Sequence, residues 1–338
     1  MHITGHKSQQ QTVTRVKPFV GKKLRIIILT LIIIAAIIYI MPLMYCGLVL
    51  NTTHDYPEDE FLCNATDKKA IIIVAHDDDW YGCVGTVKNL CEKGWYVSAY
   101  CFYPESLTQE DSIGDSQRKE GLLKCKDMIG LREFIGIDMN FRFNPVEIPY
   151  RSLPYSEFEH VFMYDSIETY ITKIIDQNNP SVIFTLDDSI GLYGNPEHVL
   201  ISQIILDICE NGNSEKEFAV DRIYQSVLPP DMAEGIMVKY KRIHPFLSFK
   251  RLYQYLTNMN SGTEDIFTEA KKVYGCAGMP LPDIEINIKD ISKYKKDFIK
   301  CFPTERKNFK RFVPFFGWYP YWIYYRIFDK EYYRVIDI

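Results

Sequence analysis

A long apolar segment lies near the amino terminus, and shorter apolar runs follow it at intervals along the chain. Residues 26–50 are almost entirely apolar, and only Thr30, Pro42 and Gly47 interrupt them. About 20 apolar residues in a helix cross the hydrocarbon core of a bilayer, so this segment predicts a transmembrane helix. A buried core helix is disfavoured at this length without a charge, and a cleaved signal peptide usually has a shorter apolar run.

Beyond this segment, short runs rich in β-branched residues alternate with stretches of helical periodicity. A continuous apolar run, as at residues 70–75, is typical of a strand buried on both faces of a parallel sheet. The predicted strands are residues 70–75, 95–102, 180–185 and 222–227, and the predicted helices are residues 84–93, 117–129, 166–177 and 198–210. Strands that alternate with helices need crossover connections. We therefore expect an α/β fold with a Rossmann-like, mostly parallel sheet flanked by helices, preceded by one transmembrane helix.

The same pattern divides the chain into four parts. Residues 1–24 are predicted to form a basic cytosolic tail, residues 25–50 the transmembrane anchor, residues 51–68 a linker, and residues 69–338 the globular domain. The domain ends in an aromatic-rich extension, densest at residues 314–325. Three interpretations of these aromatic residues stay open: packing over the sheet, a belt at the membrane surface, or a wall on which a sugar stacks.

Charged residues are distributed unevenly around the apolar segment. Lys23 and Arg25 precede it, whereas an acidic stretch that begins at Asp55 follows it. The positive-inside rule then places the tail in the cytosol and the domain on the opposite side of the membrane. Two sequons, at Asn51 and Asn64, could be glycosylated only on that side.

Net charge and cysteine spacing argue against a nucleic-acid partner and against a zinc ribbon. The formal net charge is −5, which does not indicate a protein that binds nucleic acid. None of the 9 cysteines has the spacing of a zinc ribbon. Outside the anchor the number of cysteines is even, so disulfides are as compatible with the sequence as scattered buried thiols.

Two clusters of polar residues follow predicted strands and could meet at one edge of the sheet. His76 to Asp79 come directly after the first buried strand, and the segment from Asp187 to His198 follows another. Ligands of open α/β sheets bind at the carboxyl ends of the strands. Two imidazoles and a carboxylate, with a fourth position open for water, are typical of catalytic zinc. The sequence therefore predicts a site for zinc (Zn²⁺) or another divalent metal, held by His76, Asp79 and His198.

Both clusters resemble the signatures of the PIG-L/LmbE-like de-N-acetylases, which include the N-acetylglucosaminyl-phosphatidylinositol de-N-acetylase of GPI-anchor synthesis. Residues 74–80 are similar to the Ala-His-Pro-Asp-Asp-Glu signature, and residues 193–198 to the Tyr-Gly-His-Pro-Asp-His signature. The resemblance covers residues 69–225, with a weaker similarity at residues 328–333. It implies a metal-dependent hydrolase that removes acetyl from N-acetylglucosamine on a lipid or another conjugate.

The resemblance also implies a role for each matching side chain. His76, Asp79 and His198 would bind the metal, and Asp78 would be the general base. Tyr193 would stabilise the oxyanion, and Arg118 would contact the substrate near a phosphate. Such a metal acidifies its bound water and polarises the amide carbonyl, while the carboxylate moves a proton from water to the leaving amine.

The sequence departs from the family signatures at several positions. Asp77 stands in place of the proline of the first signature, and Trp80 in place of its glutamate. In the second signature, Asn195 replaces the first histidine and Glu197 replaces the aspartate. Asparagine can donate a hydrogen bond to an oxyanion but cannot carry a proton at neutral pH. An alternative function is therefore a metal-binding, catalytically impaired relative that binds an amino sugar.

The predicted side of the membrane depends on which observation is followed. The GPI-pathway resemblance implies an endoplasmic-reticulum protein whose domain faces the cytosol, whereas the charge bias and the sequons favour the other side. The expected partners are an N-acetylglucosamine-containing glycolipid or conjugate and the membrane itself, with no nucleic acid.

Overall fold

The computed structural model describes residues 21–102, 112–144, 150–211, 219–241 and 265–338. It divides into two compact units, Met1–Met44 and Tyr45–Ile338. In the first unit, the described residues belong to helix α1 (Lys22–Val49), whose last residues lie in the second unit. Among the described residues, the segment Lys23–Val49 is the one helix long and apolar enough to cross a membrane, and none of its most apolar window is buried.

The second unit is built on a seven-stranded sheet. The strands are β1 (Lys69–Val74), β2 (Tyr96–Phe102), β3 (Glu133–Ile137), β4 (Val182–Leu186), β5 (Arg222–Val227), β6 (Ile284–Asn287) and β7 (Lys330–Asp337). Their spatial order is β3-β2-β1-β4-β5-β7-β6. The first five pair in parallel, whereas β7 pairs antiparallel with both β5 and β6. The predicted α/β fold with a mostly parallel, Rossmann-like sheet is confirmed.

Helices cover both the sheet and the ends of its strands. They are α2 (Phe61–Asn64), α3 (Val84–Glu92), α4 (Ser112–Ile129), α5 (Phe158–Val161), α6 (Tyr164–Asn178), α7 (Gly191–Gly194), α8 (Pro196–Asn211), α9 (Pro230–Glu234), α10 (Ile266–Tyr274), α11 (Lys293–Cys301), α12 (Arg306–Phe312) and α13 (Tyr321–Tyr324). A π-helical turn, Gly235–Tyr240, continues α9. The four predicted helices correspond to α3, α4, α6 and α8.

The parallel strands are apolar because they are covered on both faces. After Lys69, every residue of β1 is buried, and all five residues of β4 are buried. Burying one such aliphatic side chain contributes about 1.5–3 kcal/mol to the free energy of unfolding. This burial explains why the strands that lead to the site read as continuous apolar runs in the sequence.

The carboxyl-terminal region is part of the sheet rather than only a cap over it. The buried carboxylate of Glu331, on β7, accepts hydrogen bonds from the backbone of Gly85 and Thr86 at the start of α3. It also pairs with Lys295 Nζ of α11 at 2.7 Å. The weaker family similarity at residues 328–333 therefore falls on a strand that joins three elements. Strands β3, β6 and β7 were not predicted from the sequence.

The aromatic-rich segment divides between core and surface. Phe315, Tyr319, Tyr324 and Tyr325 are buried, whereas Gly317, Trp318 and Trp322 are exposed. Core packing thus accounts for half of the eight aromatic residues at positions 314–325. The nine cysteines are all free thiols, so the structure contains no disulfide among them.

The end of α1 and the residues just after it pack closely on the domain. A Cβ added at Gly235 would lie 2.3 Å from the carbonyl oxygen of Val49, so only glycine fits at that position. Asn51 Nδ2 donates a hydrogen bond to the carbonyl of Ile327, and Thr52 Oγ1 donates one to Asp231. Asn64, the other sequon residue, is exposed.

Candidate active site

The first polar cluster follows β1 at the carboxyl edge of the sheet. Strands β1 and β4 are adjacent and parallel, so the segments that leave their carboxyl ends lie side by side. The turn after β1 closes on itself because Asp79 Oδ2 accepts a hydrogen bond of 2.6 Å from the backbone nitrogen of His76. This short turn directs both side chains toward the loop that follows β4.

The second cluster is shaped by Asp187, which is completely buried at the end of β4. Its carboxylate accepts hydrogen bonds from four backbone nitrogens, those of residues 189, 190, 191 and 192. The loop wraps so tightly that Leu192 adopts a φ of 69°, which is unusual for a residue with a side chain. Such strain persists only where surrounding contacts enforce it, and here it places Tyr193 beside the site.

The two loops bring together the three predicted metal ligands. His76, Asp79 and His198 each offer one ligand atom, and these atoms all lie within 4.8 Å of one another. His76 Nδ1 lies 3.0 Å from Asp79 Oδ2, and His198 Nε2 lies 3.1 Å from Asp79 Oδ1. The carboxylate of Asp79 therefore stands between the two imidazoles.

The surroundings of His198 determine which of its ring nitrogens faces the cluster. Its Nδ1 lies 3.0 Å from the carbonyl oxygen of Gly191, which can only accept a hydrogen bond, so Nδ1 carries the proton. Its Nε2 is buried and has no hydrogen-bond partner, although Asp79 Oδ1 lies 3.1 Å away. A buried lone pair without a donor is unusual. It is the arrangement expected of a nitrogen that binds a cation.

His76 is oriented by a second carboxylate. Its Nε2 lies 3.1 Å from Glu197 Oε2, and Glu197 Oε1 accepts a hydrogen bond of 3.2 Å from Arg142 Nε. Both ring nitrogens thus face carboxylates, Nε2 that of Glu197 and Nδ1 that of Asp79. If Nδ1 bound a cation, Nε2 would carry the ring proton and donate it to Glu197. Ligating histidines commonly have such a carboxylate partner, which fixes the tautomer and the orientation of the ring.

The ionisation of the acidic cluster is strongly perturbed. Burial alone would raise the pKa of Asp79, but the imidazoles of His198 and His76 outweigh it and lower that pKa below the usual value. Burial also raises the pKa of Asp78 well above its usual value, and the charges of Asp79 and Asp77 add to this effect. Burial disfavours a charge on His76, yet the nearby Asp79 and Glu197 raise its pKa well above 6.5.

Arg118 lies at the site but is held by a carboxylate of the protein. Its Nε and Nη2 donate to the two oxygens of Asp77 at 2.9 and 2.6 Å. Asp77 is fully buried, so this bidentate pair fixes the guanidinium plane. Arg118 also lines the cavity.

Tyr193 and Asn195 supply hydrogen-bond donors next to the cluster. The Tyr193 ring packs against His198 and stacks on Phe312, and burial raises the pKa of its hydroxyl, which stays protonated. Asn195 Oδ1 accepts the backbone N–H of Glu197, and its Nδ2 lies 3.5 Å from the Tyr193 hydroxyl. Asn195 thus caps the start of α8, and its amide N–H groups are turned toward Tyr193.

A cavity of about 300 Å³ opens above the cluster. Its wall includes polar side chains that adjoin the cluster and a larger apolar area. The polar lining includes Asp78, Arg118, Tyr193, Asn195, Glu305 and Asn308. The apolar lining includes Leu228, Met232, Ile236, Met237, Val313 and Pro314. A ligand with a polar head and an apolar tail would match this division.

The donor set fits a divalent cation of the zinc type. Two imidazole nitrogens and one carboxylate oxygen converge, the Nε2 of His198 has no hydrogen bond, and Glu197 orients the other imidazole. Three protein ligands beside a cavity leave a position for water, as catalytic sites require.

Several residues of the site were not predicted from the sequence. The contact of Glu197 with His76 and the support from Arg142 join segments that are far apart in the chain. The sequence marks Glu197 only as a replacement for aspartate, and that change lengthens the side chain by one methylene group. Glu305 and Asn308, which line the cavity, come from a region that carries no recognisable motif.

Comparison with known proteins then tests the resemblance seen in the sequence. Residues 71–209 match the profile of the PIG-L family, which is described as GlcNAc-PI de-N-acetylase. Over these residues, the PIG-L segment, the chain is similar to the family. The match spans both motifs, β1 to β4 and most of α8, and it confirms the predicted resemblance over that segment. Strands β5 to β7 lie outside it. A comparison of the chain with curated protein sequences gives no match.

Solved structures with a similar arrangement are distant in sequence. N,N'-diacetylchitobiose deacetylase from Pyrococcus horikoshii is 15% identical, with 82% of this chain and 89% of that chain covered and a TM-score of 0.44. The conserved protein TT1542 from Thermus thermophilus is 11% identical, with 78% of this chain and 92% of that chain covered and a TM-score of 0.43. GalB, the 4-carboxy-2-hydroxymuconate hydratase from Pseudomonas putida, is 12% identical, with 72% of this chain and 82% of that chain covered and a TM-score of 0.43. Since a deacetylase and a hydratase are both among them, these similarities carry no functional argument.

Proposed function

We propose that this protein is a metal-dependent hydrolase that removes the acetyl group from N-acetylglucosamine on a membrane lipid. The observation that carries the proposal is the convergence of His76, Asp79 and His198 within 4.8 Å, next to Asp78 and at the polar end of a cavity. The PIG-L segment supports the reaction and the sugar, because the family is described as a GlcNAc-PI de-N-acetylase.

The residues that would hold the metal are His76 through Nδ1, Asp79 through its carboxylate, and His198 through Nε2. A divalent cation bound there would supply Lewis acidity to the amide carbonyl and to the attacking water. Asp78 takes a proton from the water as the water attacks the carbonyl carbon, and returns one to the amine as the C–N bond breaks. The products are acetate and the free amino sugar.

Charge that develops on the carbonyl oxygen needs donors that are already in place. The hydroxyl of Tyr193 remains protonated, because burial raises its pKa, and Asn195 Nδ2 lies beside it. Both line the cavity, and together they donate to the oxyanion. Arg118, held by Asp77, offers a fixed positive charge to an anionic group of the substrate, such as a phosphate.

The apolar part of the cavity supports a lipid-linked substrate. Met232, Ile236 and Pro314 line it, and each is close in sequence to a residue that contacts the end of α1. Gly235 packs on the backbone of Val49, and Phe315 packs on the ring of Tyr45. If α1 spans the bilayer, as its length and composition allow, a lipid tail needs to travel only a short distance from the membrane to this wall.

The alternative function is a metal-binding relative that retains an amino sugar without hydrolysing it. It is favoured by Asn195, which occupies the position of a family histidine and is held as a helix cap. The two functions differ in one measurement, because the alternative predicts bound metal and bound sugar with no release of acetate.

Acetate release from an N-acetylglucosamine conjugate tests the proposal. The full chain in detergent should release acetate when zinc or another divalent metal is present, and a chelator should abolish the release. We expect His198→Ala to remove both metal binding and activity, whereas His160→Ala, which alters an exposed histidine outside the cluster, should retain both. Full activity of His198→Ala would contradict the proposal.

The side of the membrane on which the domain lies is tested by glycosylation. Asn64 is exposed, whereas the side chain of Asn51 is half-buried and hydrogen-bonded, so Asn64 is the better reporter. Sensitivity of the full chain to an N-glycosidase, lost in Asn64→Gln, would place the domain in the lumen as the charge bias predicts. Resistance in cells that glycosylate a luminal control protein would place it in the cytosol.

A further inference from the structure

Two tryptophans on the carboxyl-terminal segment are exposed to an unusual degree. Trp318 is 47% exposed and Trp322 is 55% exposed, whereas the other two tryptophans, Trp80 and Trp95, are 1% and 4% exposed. Large aromatic side chains are usually buried because they carry much of the apolar surface of a domain. Exposed apolar surface of this kind often marks an interaction site.

These tryptophans lie beside the residues that receive the end of α1. The ring of Phe315 contacts three other rings: Tyr45 with centroids 6.3 Å apart, Trp318 at 5.4 Å and Tyr240 at 5.3 Å. One ring therefore separates Trp318 from the last turn of α1. Trp322 follows four residues later, at the start of α13.

The position of Tyr45 along α1 fixes its distance from the membrane core. A helix rises about 1.5 Å per residue, so residues 26–44 span about 28 Å. This length matches the hydrocarbon core of a bilayer, which is about 30 Å thick. In a chain anchored by that segment, Tyr45 falls at the level of the lipid headgroups. Whatever packs against Tyr45 must then lie at the same level.

Basic side chains flank the exposed rings. Lys239 is exposed and precedes Tyr240, which packs on Phe315. Arg326 is exposed and follows Trp322 by four residues, in the turn after α13. Lysine and arginine near a bilayer are attracted to anionic headgroups, and tryptophan is enriched at the boundary between headgroups and hydrocarbon. We call Trp318, Trp322, Lys239 and Arg326 the tryptophan face.

We propose that the tryptophan face inserts into the headgroup layer of the bilayer that holds α1. The domain then touches the membrane at two places, the end of α1 and this face. The apolar wall of the cavity is connected to both places through Pro314, which lines the cavity. Pro314 adjoins Phe315, which packs on the end of α1, and its carbonyl accepts a hydrogen bond from Tyr324 Oη, two residues after Trp322. This docking holds the apolar part of the cavity against the membrane. The inference rests on the anchoring assumed in the proposed function, but not on catalysis.

Fluorescence quenching by brominated lipid tests the contact directly. The full chain is reconstituted into vesicles of phosphatidylcholine and an anionic phospholipid, with bromine on shallow carbons of the acyl chains. We expect the bromine to quench the tryptophan emission of the unaltered protein. The double variant Trp318→Phe/Trp322→Phe should lose this quenching, because its remaining tryptophans are buried in the domain.

A tryptophan placed elsewhere provides the matched control. Tyr96 is 65% exposed and begins β2, at the opposite end of the strands from the cavity. In the double-variant background, Tyr96→Trp should be quenched by acrylamide from the water but not by brominated lipid. An unchanged thermal unfolding midpoint of the double variant shows that it folds, as expected for substitutions at exposed positions.

The outcomes separate this inference from the proposed reaction. If brominated lipid quenches the unaltered protein no more than the double variant, the inference is wrong, whatever the activity. If neither lipid nor acrylamide reaches Trp318 and Trp322, a second copy of the chain or another protein covers the face, and the inference is also wrong. If His198→Ala loses acetate release but keeps lipid quenching, the docking stands apart from catalysis.

A kinetic comparison gives a second readout. The double variant should have a higher KM for a lipid-linked N-acetylglucosamine in vesicles, because the cavity is no longer held at the membrane. Its turnover of a water-soluble N-acetylglucosaminide should be unchanged, since neither tryptophan lines the cavity. Equal losses on both substrates would overturn the docking role.

Discussion

The segment from β1 to α8 and the segment from Leu228 to β7 both line one cavity, and they differ in the side chains that they supply. The first supplies the side chains proposed to bind the metal and transfer the proton, from the carboxyl ends of parallel strands. The second supplies most of the apolar wall, from the region around α9 and from the residues next to the aromatic segment. The PIG-L match covers the first and stops before the second. Under the proposed function, reaction chemistry and substrate selection are therefore encoded in separate stretches of the chain.

The largest effect is expected at the base in the first segment. Asp78→Asn should lower kcat by about 10²–10⁴, the range typical for loss of a general base, because the amide cannot accept the proton of the water. Bound metal, measured by elemental analysis, should be unchanged, since Asp78 is not among the three ligands. Asp165→Asn, on the exposed start of α6, is the control. A drop of less than about threefold would show that another group acts as the base.

A smaller effect is expected from the carboxylate that orients His76. Glu197→Gln should weaken zinc affinity by about 10–100-fold, as loss of a carboxylate partner of a ligating histidine does in other metal sites. Competition with a chromophoric chelator measures the affinity without any substrate. Glu210→Gln changes an exposed residue of the same helix and should have no effect. Equal zinc affinities of the two variants would mean that Glu197 does not position His76.

In the second segment, removing the partner of a buried carboxylate should lower the stability of the fold rather than the affinity for metal. Lys295→Met leaves the buried carboxylate of Glu331 without its ion-pair partner, and breaking a buried pair costs about 3–5 kcal/mol of unfolding free energy. Urea denaturation of the full chain in detergent measures the loss. Lys300→Met removes an exposed pair with Asp297 and should cost less than about 1 kcal/mol. Similar losses for both would show that the network around Glu331 does not hold β7 to α3 and α11.

The smallest effect is expected in the apolar wall of the cavity, where a substitution should change substrate affinity but not the reaction itself. Leu228→Gln places a polar group in the apolar wall and should raise KM for a lipid-linked substrate about tenfold, since about 1.4 kcal/mol of apolar contact is lost. The kcat for a water-soluble N-acetylglucosaminide should not change. Leu123→Gln, on the exposed face of α4, is the matched control. If both substrates lose activity equally, the wall does not select for lipid.

How much could be predicted from sequence depends on whether the signal is local. His76 and Asp79 follow a buried strand directly, so the turn that joins them could be expected. His198 could be placed nearby because parallel strands end at one edge of the sheet. Glu197 and Arg142 could not be connected to His76, because their contact depends on helix orientation and loop path, which no short pattern encodes.

Strands β6 and β7 were missed in the sequence for a different reason. Strand β7 pairs antiparallel with β5 and follows a densely aromatic segment, so its tyrosines look like a continuation of that segment. Strand β6 has only four residues and lies between irregular stretches. Both are set by pairing with distant partners rather than by their own periodicity. The strained φ of Leu192 was likewise beyond sequence analysis, because the buried carboxylate of Asp187 imposes it.

The close packing of Gly235 on the carbonyl of Val49 sets where a water-soluble version of the domain can begin. Removing the chain up to Leu50 would strip the covering from this glycine and from Phe315, leaving a wall of the cavity bare. A shortened protein should therefore start no later than Tyr45, so that the end of α1 still covers Gly235 and Phe315. Crystallisation and binding studies without lipid then become feasible with the cavity intact.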